Sequence, residues 1–129
     1  MAIYPGPTSS NFPHSELACG RGSCIHCGGR NGVTQHHLNM LQTVRDMYGI
    51  IVTTSNYRCP LRNAEIGSKP NSYHVYGMAS DIIRIGDMFA HRDEDRKKMI
   101  TILEAAGFWC LDEGGWIHAD LRYWITRHP

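Results

Sequence analysis

Three residues that are widely separated in the chain, His74, Asp81 and His118, have the side chains of a catalytic metal site. Histidine nitrogen and carboxylate oxygen are common zinc ligands, and two histidines with one carboxylate leave the fourth tetrahedral position open for water. An open position is typical of a catalytic zinc, whereas a structural zinc is closed by four protein ligands. The residue types permit such a site only if the fold brings them together.

The secondary structure predicted around these three residues favours their lying close together in the fold. Residues 78–85 alternate as a strand that places Asp81 on one face. Residues 116–124 are predicted to form another strand, in which His118, Asp120 and Arg122 share a face. If the two strands lie side by side, a carboxylate and an imidazole meet on one sheet face. His74 would then reach over from a turn-rich segment.

The remaining pattern predicts an α+β fold, with a mostly antiparallel sheet flanked by helices. The 129 residues suit one domain over 1–129, in which the Gly-, Pro-, Ser- and Cys-rich residues 1–33 are expected to form an irregular arm. Helices are predicted at 34–48 and 88–106, strands at 50–54 and 108–111, a short helix ending at 65, turns at 67–77, and a hairpin loop at 112–115.

Composition narrows the classes of function. The net charge is +1 and the basic residues are scattered, so nothing favours nucleic-acid binding. No apolar run approaches the roughly 18 residues of a membrane span. The N-terminus lacks the basic start and apolar stretch of a signal peptide, so we expect synthesis in the cytoplasm, that of the host if the gene is viral. We also expect a monomer.

The cysteines form a second group of interest. Cys24 and Cys27 make a CxxC motif shortly after Cys19, and in a cytosolic product this favours metal binding or free thiols over a disulfide. A closed zinc site would need a fourth ligand, and the candidates are His26 and a histidine elsewhere. The alternative is that these cysteines are buried small side chains and loop thiols.

Three stretches in order resemble the zinc D-Ala-D-Ala metallopeptidase family, which includes cell-wall carboxypeptidases and phage endolysins and shares a fold with the hedgehog signalling domain. The stretches are 54–60 followed by Asn63, 71–82, and 116–120, which contain the pieces SxYRCP, SxHxxGxAxD and WxHxD. The resemblance extends over about residues 11–123.

Carried over to this chain, the resemblance implies that His74, Asp81 and His118 bind Zn2+. It also implies that Arg58 faces the substrate, where its planar guanidinium would pair with a peptide carboxylate or stabilise an oxyanion. Ser72 is expected to form a hydrogen bond near the metal and to contribute to substrate binding.

The general base is less clearly marked. Many members of the family place a catalytic carboxylate three residues before the last histidine, where this chain has Gly115. Asp112 matches the hedgehog-type spacing and is preferred for that reason, while Glu113 has the longer reach. Asp120 either competes for the role or orients His118.

The function implied by the resemblance is zinc-dependent hydrolysis of an amide bond in peptidoglycan stem peptides, at D-Ala-D-Ala, at L-Ala-D-Glu or at a cross-bridge. A phage endolysin, which reaches the cell wall through a separate membrane-permeabilising protein, suits the short chain. The alternative is a non-catalytic, zinc-stabilised peptidoglycan-binding module. A thiol enzyme that uses Cys59 or Cys110 has no supporting motif.

Overall fold

An antiparallel sheet forms the centre of the protein in the computed structural model, which describes residues 6–127. Residues 1–5, on which the expectation about an export signal rests, and residues 128–129 lie outside this range. The sheet order is β1-β2-β5-β4, and β3 pairs with the end of β2. The strands are β1 Ile51–Ser55, β2 Ala79–Ile85, β3 Met88–Phe89, β4 Trp109–Asp112 and β5 Ile117–Asp120.

Two long helices cover one face of this sheet. Their apolar stripes, which include Leu41 and Leu103, pack against the strand residues Ile82 and Ile117, and all four side chains are completely buried. The predicted α+β fold with an antiparallel sheet is thus confirmed. The helices are α1 His14–Leu17, α2 Gln35–Tyr48, α3 Pro60–Glu65, α4 Asp93–Ala106 and α5 Arg122–Arg127.

Helix α2 agrees with the sequence pattern because its ends carry local signals. The Thr34 side chain accepts a hydrogen bond from the backbone N–H of His37, which is an N-cap. Gly49 ends the helix with a φ of 102°, a conformation that side chains with a Cβ rarely adopt.

The predicted start of the second long helix was wrong. Helix α4 begins at Asp93, and Met88–Phe89 instead forms β3, in a hairpin with the end of β2. Gly86, with a φ of 57°, makes the tight turn, and the Asp95 carboxylate accepts a hydrogen bond from the N–H of Phe89. The Gly86-Asp87 pair was a hairpin signal that helical periodicity concealed.

The last predicted strand also ends earlier than expected. Strand β5 stops at Asp120, whose carboxylate accepts a hydrogen bond from the backbone N–H of Arg122 and starts α5. An aspartate that bonds the backbone two residues ahead turns the chain locally, and this interaction overrides the alternating pattern of the sequence.

The expected irregular N-terminal arm contains more structure than the sequence indicated. Within its described part are α1 and a 3₁₀ helix, Cys19–Gly22, and the side chains of Phe12 and Leu17 are completely buried. Burial of these two large apolar side chains makes the segment part of the core. Among residues 6–127, no helix is both long enough and apolar enough to cross a membrane.

Gly77 lies at a tight approach between two parts of the chain. Its φ is 71°, its carbonyl accepts a hydrogen bond from the N–H of Thr34, and an added Cβ would overlap the carbonyl of Gly32. The chain passes this point between His74 and Asp81, so the contact sets the path that joins two site residues.

Gly77→Ala should therefore destabilise the protein more than Gly67→Ala does. Gly67 also has a positive φ, 77°, but nothing lies within 4 Å of an added Cβ there. We expect about 1–2 kcal/mol from the backbone strain alone in Gly67→Ala, and a further ~2 kcal/mol from overlap in Gly77→Ala. Urea unfolding of both variants measures the difference, and equal losses would show that the close approach is unimportant.

Candidate metal site

The pairing of β2 with β5 places Asp81 directly opposite His118. Asp81 is also paired with Ser55 of β1, and His118 with Leu111 of β4, so four residues form a row across the sheet. This row lies on the face opposite to α2 and α4, because the helix-facing residues Ile82 and Ile117 are the next along each strand.

His74 reaches this row from the loop that precedes β2. Its Nε2 is 3.2 Å from Asp81 Oδ1, and His118 Nδ1 is 3.5 Å from the same oxygen. One donor atom from each of the three residues lies within 4.8 Å of the other two. The structure thus brings together the three side chains that the sequence analysis singled out.

The ring of His74 is oriented by its other nitrogen. His74 Nδ1–H donates to the carbonyl of Asn56 at 2.6 Å, since a carbonyl can only accept. His74 Nε2 is therefore the ring nitrogen that faces Asp81. A hydrogen bond from the second ring nitrogen to a carbonyl is the usual way in which a metal-binding histidine is held.

Asn56 is held in turn by a buried polar network. The Ser80 hydroxyl donates to the Asn56 side-chain oxygen, so His37 Nε2–H must donate to Ser80 Oγ, at 2.7 Å. Burial lowers the pKa of His37 to about 3, which keeps this ring neutral. The network links α2 to the loop carbonyl that orients His74.

His118 is oriented by a carboxylate. Its Nε2 donates to Asp120 Oδ2 at 2.7 Å, and Asp120 is completely buried and also accepts hydrogen bonds from Arg122. Burial by itself would lower the pKa of His118, but the hydrogen bonds to Asp120 and Asp81 outweigh it and raise this pKa to about 9. Asp120 thus occupies the orienting position, with His118 Nδ1 directed at Asp81.

The Asp81 carboxylate remains charged in this environment. Burial would raise its pKa, but hydrogen bonds to His118 and His74 dominate and hold the pKa well below the ordinary range. Each imidazole has one nitrogen bonded to a protein oxygen and the other directed at Asp81. Two such imidazoles and one ionised carboxylate are the donor set of an open zinc site, so these residues fit a zinc ion.

Arg58 lies beside this group. It is largely buried, with Nη1 donating to the Asn63 side chain at 3.0 Å and Nη2 3.9 Å from Asp81 Oδ2. Ser72 Oγ accepts a hydrogen bond from the backbone N–H of His74 at 3.3 Å. Both residues line the cleft described next.

An open cleft of about 680 Å³ lies over the donor atoms. One wall is the 67–73 loop, and the other is formed by the β4–β5 hairpin with Trp109 and Trp116. A second cavity of about 390 Å³ adjoins it, since Arg58 and Asp81 line both.

The two carboxylates of the hairpin are placed differently. Asp112 is on the helix side of the sheet, where it accepts hydrogen bonds from Arg96 Nε at 2.6 Å and from the N–H of Gly114. Glu113, the next residue, lines the cleft. The preference for Asp112 is not supported by this geometry, because strand alternation directs its side chain away from the row that holds His118.

The three N-terminal cysteines also come together, at a separate place. They lie beside Cys59, and the four sulfur atoms of Cys19, Cys24, Cys27 and Cys59 are all within 4.8 Å of one another. His26, the suggested fourth ligand, pairs instead with Glu65 at 3.1 Å. Cys110 lies elsewhere, and burial raises its pKa to about 12, which disfavours a thiolate nucleophile.

A family model described as Peptidase M15 matches residues 10–120. The chain belongs to the peptidase M15 family. No curated protein and no solved structure gave a significant match. Membership confirms the resemblance to the zinc D-Ala-D-Ala metallopeptidases, and it supports a metallopeptidase that acts on a peptide.

Sequence reasoning missed two residues that shape the site of this M15 family member, Asn56 and Arg122. The sequence indicates no role for Asn56, although its carbonyl orients His74. Arg122 was expected in a strand, but its guanidinium lies 3.4 Å from the centre of the Trp109 ring and donates to Asp120. Asn56 is the unspecified position of SxYRCP and Arg122 lies outside the three pieces, so the motifs give no signal for either residue.

His118→Ala should remove the metal from this cleft. The substitution deletes one of three protein ligands, whereas His91→Ala changes an exposed histidine outside the site and serves as the control. Metal analysis of proteins purified from zinc-containing medium should show one zinc fewer per chain in His118→Ala than in His91→Ala. Equal zinc contents would contradict the ligand assignment.

Proposed function

We propose that this M15 family member is a zinc peptidase that hydrolyses an amide bond in peptidoglycan stem peptides. The observation that carries the proposal is the convergence of His74 Nε2, Asp81 Oδ1 and His118 Nδ1 beneath an open cleft. Three protein ligands under an open surface are typical of a catalytic zinc rather than a structural one.

A bound zinc ion would polarise the scissile carbonyl and lower the pKa of water at the site. The protein supplies the remaining functions. Asn56 and Asp120 hold the two imidazoles in the required tautomers. Arg58, fixed by Ser55 and Asn63, presents a cation beside Asp81 that is suited to the developing oxyanion or to a substrate carboxylate.

Glu113 is the carboxylate that we assign as the general base. It lines the cleft, while Asp112 is engaged by Arg96 and Asp120 by His118 and Arg122. A general base must accept a proton from the attacking water and return it to the leaving amine, and a carboxylate that is held by cationic donors is less basic for this role. Glu113 is exposed in the hairpin loop, so rotation of its side chain can bring the carboxylate toward the donor atoms beneath the cleft.

The shape of the cleft suits a peptide that passes across the donor atoms. Amide and hydroxyl groups of Asn71 and Ser72 on one wall can bond peptide groups, and Trp116 on the other wall offers an apolar surface. The adjoining cavity beyond Arg58 has room for residues on the other side of the scissile bond. A phage endolysin that reaches the wall after the membrane is permeabilised is the biological role we propose.

Digestion of purified peptidoglycan, with and without a chelator, tests this function. Mass spectrometry of the released fragments should show peptides cut in the stem, and their ends identify D-Ala-D-Ala, L-Ala-D-Glu or cross-bridge cleavage. The chelator and His118→Ala should both abolish release. Binding to peptidoglycan without release of fragments would instead indicate the non-catalytic module. The sequence argument for that module is that Gly115 stands where many family members have a catalytic carboxylate.

Arg58→Lys should retain zinc and the fold but lose about 100-fold in kcat/KM, the scale of a lost oxyanion donor. An ammonium group cannot reproduce the planar guanidinium that bonds Ser55 and Asn63 while facing the cleft. Arg92→Lys, at an exposed position, is the matched control. The assignment fails if the Arg58 variant keeps full activity.

Glu113→Gln should lower kcat by about 100-fold or more, the scale of general-base catalysis, with unchanged zinc content. Asp112→Asn is the control, because its side chain lies on the helix side and should leave the rate nearly unchanged. Rates on cell walls and metal analysis of both variants distinguish the two residues. A reversed result would make Asp112 the base.

A further inference from the structure

The cluster of Cys19, Cys24, Cys27 and Cys59 has the dimensions of a metal–thiolate centre. Cys24 Sγ and Cys59 Sγ are 3.7 Å apart, far beyond the roughly 2 Å of a disulfide bond. Tetrahedral zinc with Zn–S bonds of about 2.3 Å separates its sulfurs by about 3.8 Å. All four sulfurs meet within 4.8 Å, so one ion can contact each of them.

Backbone N–H groups are directed at three of the four sulfurs. Cys59 N donates to Cys19 Sγ at 3.3 Å, Arg62 N to Cys59 Sγ at 3.4 Å and Arg30 N to Cys27 Sγ at 3.4 Å. Such bonds stabilise negative charge on sulfur, which metal-bound thiolates carry. Packing of apolar thiols alone would not require these donors.

The backbone between the first two cysteines is shaped for this convergence. Gly20, Arg21 and Gly22 all have positive φ, and at Arg21, with a φ of 55°, this conformation costs energy because the residue has a Cβ. The chain thereby doubles back and brings Cys24 to Cys19. Three of the four cysteines are buried, and Cys27 is half-buried.

We propose that Cys19, Cys24, Cys27 and Cys59 bind a second zinc ion in a closed, tetrathiolate structural site. The site is distinct from the cleft, since its ligands are all sulfurs and leave no position for water or substrate. Cys59 supplies the fourth ligand that the CxxC motif and Cys19 lacked. With four ligands from two segments, the ion would cross-link the N-terminal region to the start of α3.

This cross-link would also bear on Arg58. Cys59 follows Arg58 directly, and its side chain caps α3 by accepting from Arg62 N. A metal held by Cys59 therefore restrains the segment that presents Arg58 to the cleft. The effect on catalysis rests on the proposed peptidase function, but zinc binding by the cysteines does not.

Metal content of four proteins, purified from zinc-containing medium without chelator, tests the proposal. Wild type and Cys110→Ser, which changes the cysteine outside the cluster, should carry two zinc ions per chain. Cys27→Ser should carry one, and so should His118→Ala. One zinc in wild type that persists in His118→Ala but is lost in Cys27→Ser would support the cysteine site and refute the cleft site. One zinc lost only in His118→Ala would overturn the present proposal.

A second measurement on wild-type protein does not depend on whether Cys27→Ser folds. Cobalt added to metal-free protein under reducing conditions should give intense thiolate-to-cobalt charge-transfer absorption. The cleft residues cannot produce this band because none of them is a sulfur ligand. Absence of the band, iron in place of zinc in the purified protein, or a disulfide between cluster cysteines would refute the assignment.

Discussion

The antiparallel register of β2 with β5 is the constraint on which the rest of the site depends. It places Asp81 directly opposite His118, where the Cβ atoms of such a pair are about 5 Å apart. A slip of one residue would turn one of the two side chains to the helix side. Ile82 and Ile117, buried against α2 and α4, oppose such a slip because it would expose apolar surface.

The two histidines are held by different partners, and this difference affects their electrostatics. His74 donates to the neutral carbonyl of Asn56, whereas His118 donates to the buried Asp120 carboxylate. The carboxylate makes the His118 ring more basic and a stronger electron donor, while the carbonyl chiefly fixes direction. Arg122 balances the Asp120 charge, so the buried carboxylate is paired on both sides.

Residues Arg58 and Cys59 join the cleft to the cysteine cluster through consecutive positions in the chain. Arg58 faces Asp81 on one side, and the Cys59 sulfur faces Cys24 on the other. In the arrangement that we propose, one zinc ion serves the chemistry and the other restrains the segment that carries Arg58. Because such a site is not preformed in an unfolded chain, metal binding by the cysteines would add to the stability of the folded state.

The sequence alone determined the elements whose signals are local. The apolar period and Gly49 predicted helix α2, and strand alternation predicted the faces of Asp81 and His118. The ordered motifs indicated the family.

Only the tertiary structure decided that Cys59 completes the sulfur cluster, that Asp120 turns the chain and holds His118, and that Asp112 faces Arg96 while Glu113 faces the cleft. These outcomes depend on contacts between residues far apart in sequence, and local periodicity carries no information about which distant groups will meet.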